Sequence, residues 1–187
     1  MLPASILFFL KYPQLGRVKT RLARSVGDEQ AMEAFHWMVY ECWTRAKDVT
    51  AERQVYGAPE YRMDAFDEWL TGGLPATPQP SGSLGDRLIA GVEHAFARGH
   101  SKVICVGGDC PSLSKKEYEQ ALEALDTHDL AIYPAEDGGY VLIGLKAPNK
   151  QLFQNIFYDK LANHNRSPVA ARAWPPRCPG WCRSPRR

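Results

Sequence analysis

Lys102-Val103-Ile104-Cys105-Val106-Gly107-Gly108-Asp109-Cys110-Pro111 is the stretch that decides the fold of this chain. Its first half is apolar and rich in Val and Ile, with little alternation. That is the pattern of a strand covered on both faces, as in a parallel sheet flanked by helices. Its second half breaks the run with two glycines, an acid and a proline, so the strand ends in a turn. Helical spacing lies on either side. Before it, Leu84, Leu88, Val92 and Ala95, extended by Phe96, form one stripe, and Gly99 fits the C-terminal end of that helix near Arg98. After it, Ser114 and Glu117 make a capping box that opens a helix to about Leu125.

Working outward, residues 5–10 form a short buried strand that runs into a loop with Pro13 and Gly16. Residues 28–47 carry Ala31, Phe35, Met38, Val39 and Cys42 on one helical face. A weaker strand over 54–57 precedes a helix over 60–70 and a turn at Gly72-Gly73. Residues 129–133 and 140–145 read as strands separated by a turn at Gly138-Gly139. Strands alternate with helices and no internal repeat interrupts them. The expected fold is α/β, a single-domain three-layer α/β/α sandwich with a mostly parallel sheet, spanning residues 1–160.

The 187 residues are 44% hydrophobic and 24% charged, an ordinary globular composition that excludes collagen-like, disulfide-dense and wholly disordered classes. No apolar run approaches the ~18 residues of a membrane span, and no basic segment precedes Ile6, so a cytoplasmic protein without membrane contact is expected. The net charge of +2 hides an asymmetry: all 21 acidic residues lie at or before Asp159, whereas Lys160 and six arginines follow. An acidic body argues against nucleic acid as a partner. From about Asn163 the sequence is rich in Arg and Pro without periodicity, and an irregular tail over 161–187 is expected. Cys42 and Cys105 fall on core positions; Cys178 and Cys182, with His164 as the sole neighbour able to help, do not complete a zinc site.

Ligands of open α/β sheets lie beyond the carboxyl ends of the strands, and three such segments carry unusual residues. The first holds Lys11, Arg17, Lys19 and Arg21 around Gly16. A glycine that lets backbone approach a ligand, with cations beside it, suits a di- or triphosphate; a solvated basic loop is the alternative. If the loop is extended, Lys19 and Arg21, two apart, can face one ligand. It is not a P-loop, which needs a glycine five before Gly16 and a lysine directly after it. In the second, Asp109 either reaches a hard cation such as Mg²⁺ or caps a turn. Cys110 as a nucleophile lacks a nearby histidine. The third, Pro134-Ala135-Glu136-Asp137-Gly138-Gly139-Tyr140, either places a carboxylate on a metal or sugar hydroxyl or makes a tight turn.

Taken together, these segments resemble the bacterial DUF2064 family of GT-A-like, nucleotide-diphospho-sugar transferase-type proteins. The family pattern K-x-P-x-x-G-x-x-K-T-R-L is matched by Lys11, Pro13, Gly16, Lys19, Thr20, Arg21 and Leu22. Q-x-x-G-[DS]-L-G-x-R is matched by Gln79, Gly82, Ser83, Leu84, Gly85 and Arg87. G-x-D-C-P-x-L and P-A-x-D-G-G-Y-x-L-I-G-L follow at 107–113 and 134–145 in the same order, and the resemblance covers about residues 4–157.

The resemblance implies a relative of 2-phospholactate and molybdenum-cofactor guanylyltransferases. On that basis Lys11, Gly16, Lys19 and Arg21 hold nucleotide phosphates, and Gln79, Gly85 and Arg87 face base or ribose unless they only start a helix. Asp109 binds the metal, Mg²⁺ or Mn²⁺, and acts catalytically with Asp137; Gly138, Gly139 and Tyr140 line the acceptor side. The implied activity is nucleotidyl or glycosyl transfer from a metal-bound nucleoside di- or triphosphate donor to a small-molecule acceptor. The sequence departs from the family after Phe153: 156–159 replaces a W-S-T segment, and no acid follows Asp159 to supply a second metal carboxylate. That departure keeps a non-catalytic nucleotide-binding protein in view. A regular cover after Phe157 is also missing, which points to an open apolar face and a homodimer contact.

Overall fold

A computed structural model describes residues 4–72, 74–135 and 139–153. The expected tail, the Cys178–Cys182 pair and the proposed open face after Phe157 lie outside these residues. The elements are β1 (Ala4–Lys11), α1 (Thr20–Val26), α2 (Asp28–Arg45), β2 (Ala51–Ala58), a run of short helical turns containing α3 (Met63–Phe66), β3 (Thr77–Pro78), α4 (Leu84–Ala97), β4 (Val103–Gly107), α5 (Lys115–Thr127), β5 (Leu130–Pro134) and β6 (Tyr140–Leu145).

The six strands form one sheet in the order β3-β2-β1-β4-β6-β5. β1 pairs in parallel with β2 and β4, and β2 with β3. β6 runs against both its neighbours, β4 and β5. Five strands therefore point the same way, and their carboxyl ends share one edge with the start of β6.

Alternation along the strands sorts the core into two layers. Ile6, Phe8 and Leu10 of β1, with Ile104 and Val106 of β4, pack against Phe35, Val39, Cys42 and Trp43 of α2 and Tyr118, Ala121 and Leu125 of α5. Leu7 of β1 and Val103 and Cys105 of β4 face the other way, onto Leu88, Val92 and Ala95 of α4. Burial on both faces is why β1 and β4 read as continuous apolar runs. The expected three-layer sandwich is thus present, with α2 and α5 on one side of the sheet and α4 on the other.

Local chemistry sets the helix limits. Ser114 caps α5 with Glu117 as the reciprocal partner, as the sequence predicts, and Ser83 and Asp86 cap α4 in the same manner. At the far end of α4, Gly99 takes φ 92°; its N–H donates to Phe96 and that of His100 to Ala95, the hydrogen-bond pattern of a Schellman motif. One helix was not expected: α1 starts inside the segment read as a loop and buries no side chain, so it leaves no apolar stripe in the sequence.

Candidate functional site

The loops at the shared carboxyl edge come together. Lys19, just before α1, brings Nζ to 3.3 Å from Asp109 Oδ2 in the turn after β4. Asp109 is 63% exposed at its side chain and Lys19 26%. Among the described residues this ion pair is the contact that the carboxylate makes, so Asp109 is presented to solvent at a strand end rather than buried in a turn cap. Gly108 holds the turn against the sheet: a β-carbon there would collide with Leu10 and Val39 of the core. Cys110 is buried, with Sγ 3.2 Å from Ser112 Oγ, and its sulfur faces inward rather than toward a substrate. Behind it, burial pushes the Cys42 thiol up to about 12, only partly offset by a backbone hydrogen bond from Cys110. Neither sulfur is a poised nucleophile.

Lys19 is the sole described non-glycine residue with positive φ, at 45°, where an L side chain is strained. That turn carries the chain from the loop directly into α1. Arg21 consequently lies within the helix and not on an extended strand beside Lys19. The extended geometry through which the two cations were expected to face one ligand is therefore absent: Lys19 is left-handed and Arg21 sits in the first turn of α1. Gly16 also takes positive φ, at 71°, which explains a glycine there without appeal to a ligand.

At the same edge of the sheet a cleft of about 620 Å³ opens between the ends of β1, β2 and β3; Val18 lines it, whereas Lys19 and Asp109 do not. Lys11, Arg17 and Arg87 give it positive charge, Tyr12 and Tyr61 aromatic wall, and Gln79 and Glu60 polar groups. Tyr12 is braced by Phe66 and Trp69 at ring separations of 5.6 and 5.8 Å. Tyr61 is 75% exposed at the rim. Cations beside an exposed aromatic wall suit a ligand with phosphates and a ring system.

Gln79 lines the cleft but its amide is engaged: Nε2 donates to the carbonyls of Leu10 and Tyr56 at 3.0 and 2.6 Å. Gly85 is buried in α4 directly under the Phe153 carbonyl, which a β-carbon would strike, so its missing side chain serves packing at that point. Tyr140, at the start of β6, packs half-buried toward the α4 layer. Gly139 accepts from Ala135 N–H at 3.0 Å. Glu136, Asp137 and Gly138 lie outside the described residues.

The segment after β2, with Pro59, Glu60 and Tyr61, was not singled out from the sequence, although the strand-end rule that selected the other three applies equally to it. Only 54–57 of that strand carries a strand pattern, so the sequence does not mark where it ends. No group of three or more His, Cys, Asp or Glu gathers as a metal site among the described residues. No helix among them is long and apolar enough to cross a membrane.

A family model described as "Uncharacterized protein conserved in bacteria (DUF2064)" matches residues 42–160. Among solved structures, a putative nucleotide-diphospho-sugar transferase from Desulfovibrio desulfuricans G20 is similar at a TM-score of 0.80 and 31% identity, over 84% of this chain and 70% of that one. A cytidylyltransferase from Leptospira borgpetersenii is similar at 0.52 and 14% identity, over 87% and 72% of the two chains. 4-Diphosphocytidyl-2C-methyl-D-erythritol synthase from Anaerococcus prevotii is similar at 0.52 and 13% identity, over 90% and 79%. At such identities the last two speak for fold alone. No curated protein matches the sequence. The fold is that of nucleotide-diphospho-sugar transferases and cytidylyltransferases.

Proposed function

This chain belongs to the DUF2064 family, and from that premise we propose that it is a transferase moving a nucleotidyl or glycosyl group from a metal-bound nucleoside di- or triphosphate donor to a small-molecule acceptor. The observation that carries this reading is that the carboxyl edge of the sheet holds both the Lys19–Asp109 pair and a cleft with Lys11, Arg17 and Arg87 on its wall. The similar Desulfovibrio structure, described as a nucleotide-diphospho-sugar transferase of putative status, supports it.

Lys11, Arg17, Lys19 and Arg87 would neutralise phosphate oxygens, and Tyr12 and Tyr61 would flank the base. Asp109 offers hard oxygen at an open position, which fits Mg²⁺ or Mn²⁺, ions usually held by one or two carboxylates plus the substrate's own phosphates. Asp109 would be the described residue that holds the ion. When bound, such an ion supplies charge neutralisation at the phosphate oxygens. The protein's part is positioning: fixed cations that meet the charge growing on the leaving phosphate without reorganising. In nucleotidyl transfer the acceptor oxygen attacks the α-phosphorus and pyrophosphate leaves. In glycosyl transfer it attacks the sugar carbon and the nucleoside diphosphate leaves.

A thermal-shift panel of nucleoside di- and triphosphates and sugar nucleotides, with and without Mg²⁺ or Mn²⁺, tests the donor class. Stabilisation that requires phosphate and increases with metal is expected. A chain indifferent to every nucleotide refutes the proposal. Release of pyrophosphate from labelled triphosphate marks nucleotidyl transfer, release of nucleoside diphosphate from a sugar nucleotide marks glycosyl transfer, and binding without either marks a non-catalytic nucleotide binder.

A further inference from the structure

Gln79, Gly82 and Arg87 follow one another at spacings of three and five residues, and the structure makes them one hydrogen-bonded unit. A primary amide has two N–H donors and one carbonyl. Gln79 Nε2 donates to Leu10 O at 3.0 Å and to Tyr56 O at 2.6 Å, so both donors are taken by the neighbouring strands β1 and β2. Its backbone N–H donates to Gly57 O at 2.8 Å, fixing the same residue from its main chain. A flipped amide would set its oxygen against two carbonyl oxygens, so the orientation is determined by the strands. Oε1 must then face away from them, and there it accepts from Arg87 Nη1 at 3.3 Å.

Arg87 is gripped a second time, Nε donating to Gly82 O at 3.2 Å. Gly82 takes φ 119°, which favours glycine there. Of the five guanidinium N–H groups, two are thus engaged. Among the described residues no further acceptor takes the other three, and Arg87 lines the cleft with Lys11 and Arg17. A planar, two-point-anchored fork with free N–H groups matches a phosphate.

We propose that Gln79 is a positioning residue, which contacts no ligand itself but aims the Arg87 guanidinium at a phosphate of the nucleotide in the cleft. This rests on the functional reading above. It also means that Gln79 does not read the base, because its donors face the sheet.

The test is a double-mutant cycle with Gln79→Met, Arg87→Met and the double variant. For each, the unfolding temperature is measured together with the affinity, in Mg²⁺, for inorganic pyrophosphate and for ADP, CDP, GDP and UDP. Gln79→Met should weaken pyrophosphate and diphosphate binding about tenfold in the wild-type background and less than about twofold in the Arg87→Met background, the signature of residues acting as one unit. An equal further loss without Arg87 means that Gln79 touches the ligand, and overturns the proposal. A lowered unfolding temperature with unchanged affinity means that Gln79 only staples β1 to β2, and overturns it as well. Should Gln79→Met not fold, Arg87→Lys keeps the charge and lacks the fork. It should show the same roughly tenfold loss, and wild-type affinity in that variant refutes the idea. If the wild type binds none of the five probes, the functional reading itself fails, and this inference with it; binding by the wild type with no change in the variants removes the inference alone.

Discussion

Gly107 and Gly108 are adjacent, yet adding one methyl group to each should have opposite consequences. A β-carbon at Gly108 would sit 2.5 Å from Leu10 Cδ2 and 2.7 Å from Val39 Cγ2. Carbon atoms settle at about 3.5–4.0 Å, so a displacement of roughly 1 Å is forced into the sheet–α2 layer. Leu10 is 2% exposed and Val39 fully buried, and a β-branched Val in a helix has little rotamer freedom, so neither yields cheaply. Overpacking of this kind costs about 1–3 kcal/mol. In a domain of this size each kcal/mol lowers the melting temperature by about 2–4 °C. Gly108→Ala should therefore melt about 4–8 °C below wild type, taking 2 kcal/mol as the central cost. At Gly107 the added carbon meets only Asp109 Oδ1, at 3.0 Å, on a side chain 63% exposed that is free to swing. Gly107→Ala should lose less than about 0.5 kcal/mol, while pushing the carboxylate away from Lys19 and weakening metal-dependent nucleotide binding. Thermal unfolding and nucleotide titration of both variants decide the matter. Equal melting temperatures for the two, or a Gly108→Ala protein as stable as wild type, would refute the packing argument.

Asp109→Asn should leave the melting temperature of the free protein nearly unchanged, because an exposed ion pair is worth about 0.2–1 kcal/mol, yet abolish the metal dependence of nucleotide binding in the same titration. Lys19→Gly removes a charge but also relieves a left-handed backbone that costs an L residue about 1–2 kcal/mol; calorimetry should find stability preserved or slightly raised, and affinity lowered for a nucleoside diphosphate but not for the nucleoside. Partial burial pushes the Glu117 carboxyl up, but hydrogen bonds from the Ser114 hydroxyl and backbone N–H outweigh it and hold the group below its ordinary range. Its stabilising contribution is then full above the unfolded value of about 4.3 and lost as pH falls through the lower folded value. Ser114→Ala should cost about 1 kcal/mol at neutral pH, and denaturant curves should show the gap from wild type closing below about pH 4.

β4 was legible because Val103 to Val106 are apolar on both faces, and α4 because its stripe and Gly99 leave unambiguous marks. α5 was legible from Ser114 and Glu117. α1 was not: seven residues without a buried side chain have no periodicity to read. Nor does periodicity encode direction, so nothing in Tyr140 to Leu145 announced that β6 runs against β4. The site was visible in part. Strand-end logic and the family resemblance selected Lys19 and Asp109, ninety residues apart, and the structure brings them to 3.3 Å. The work of Gln79 was invisible because its partners are the main-chain carbonyls of Leu10 and Tyr56, and a carbonyl leaves no mark in a sequence.

The order β3-β2-β1-β4-β6-β5 puts the first strand at the centre of the sheet, and that has a consequence during synthesis. β2 covers one edge of β1 early, through the Ala4–Ala51 to Lys11–Ala58 register. The other edge waits for Val103 to Gly107. At a ribosomal rate of roughly 5–20 residues per second, the 44 residues between β2 and β4 take about 2–9 s to be made. Through that interval Ile6 to Phe9 offer an apolar strand with one edge unpaired, the kind of edge that recruits a neighbouring nascent chain. Yield of native protein should therefore depend on how fast α4 and β4 emerge, and slowing translation between residues 58 and 103 should send more of the product into aggregates.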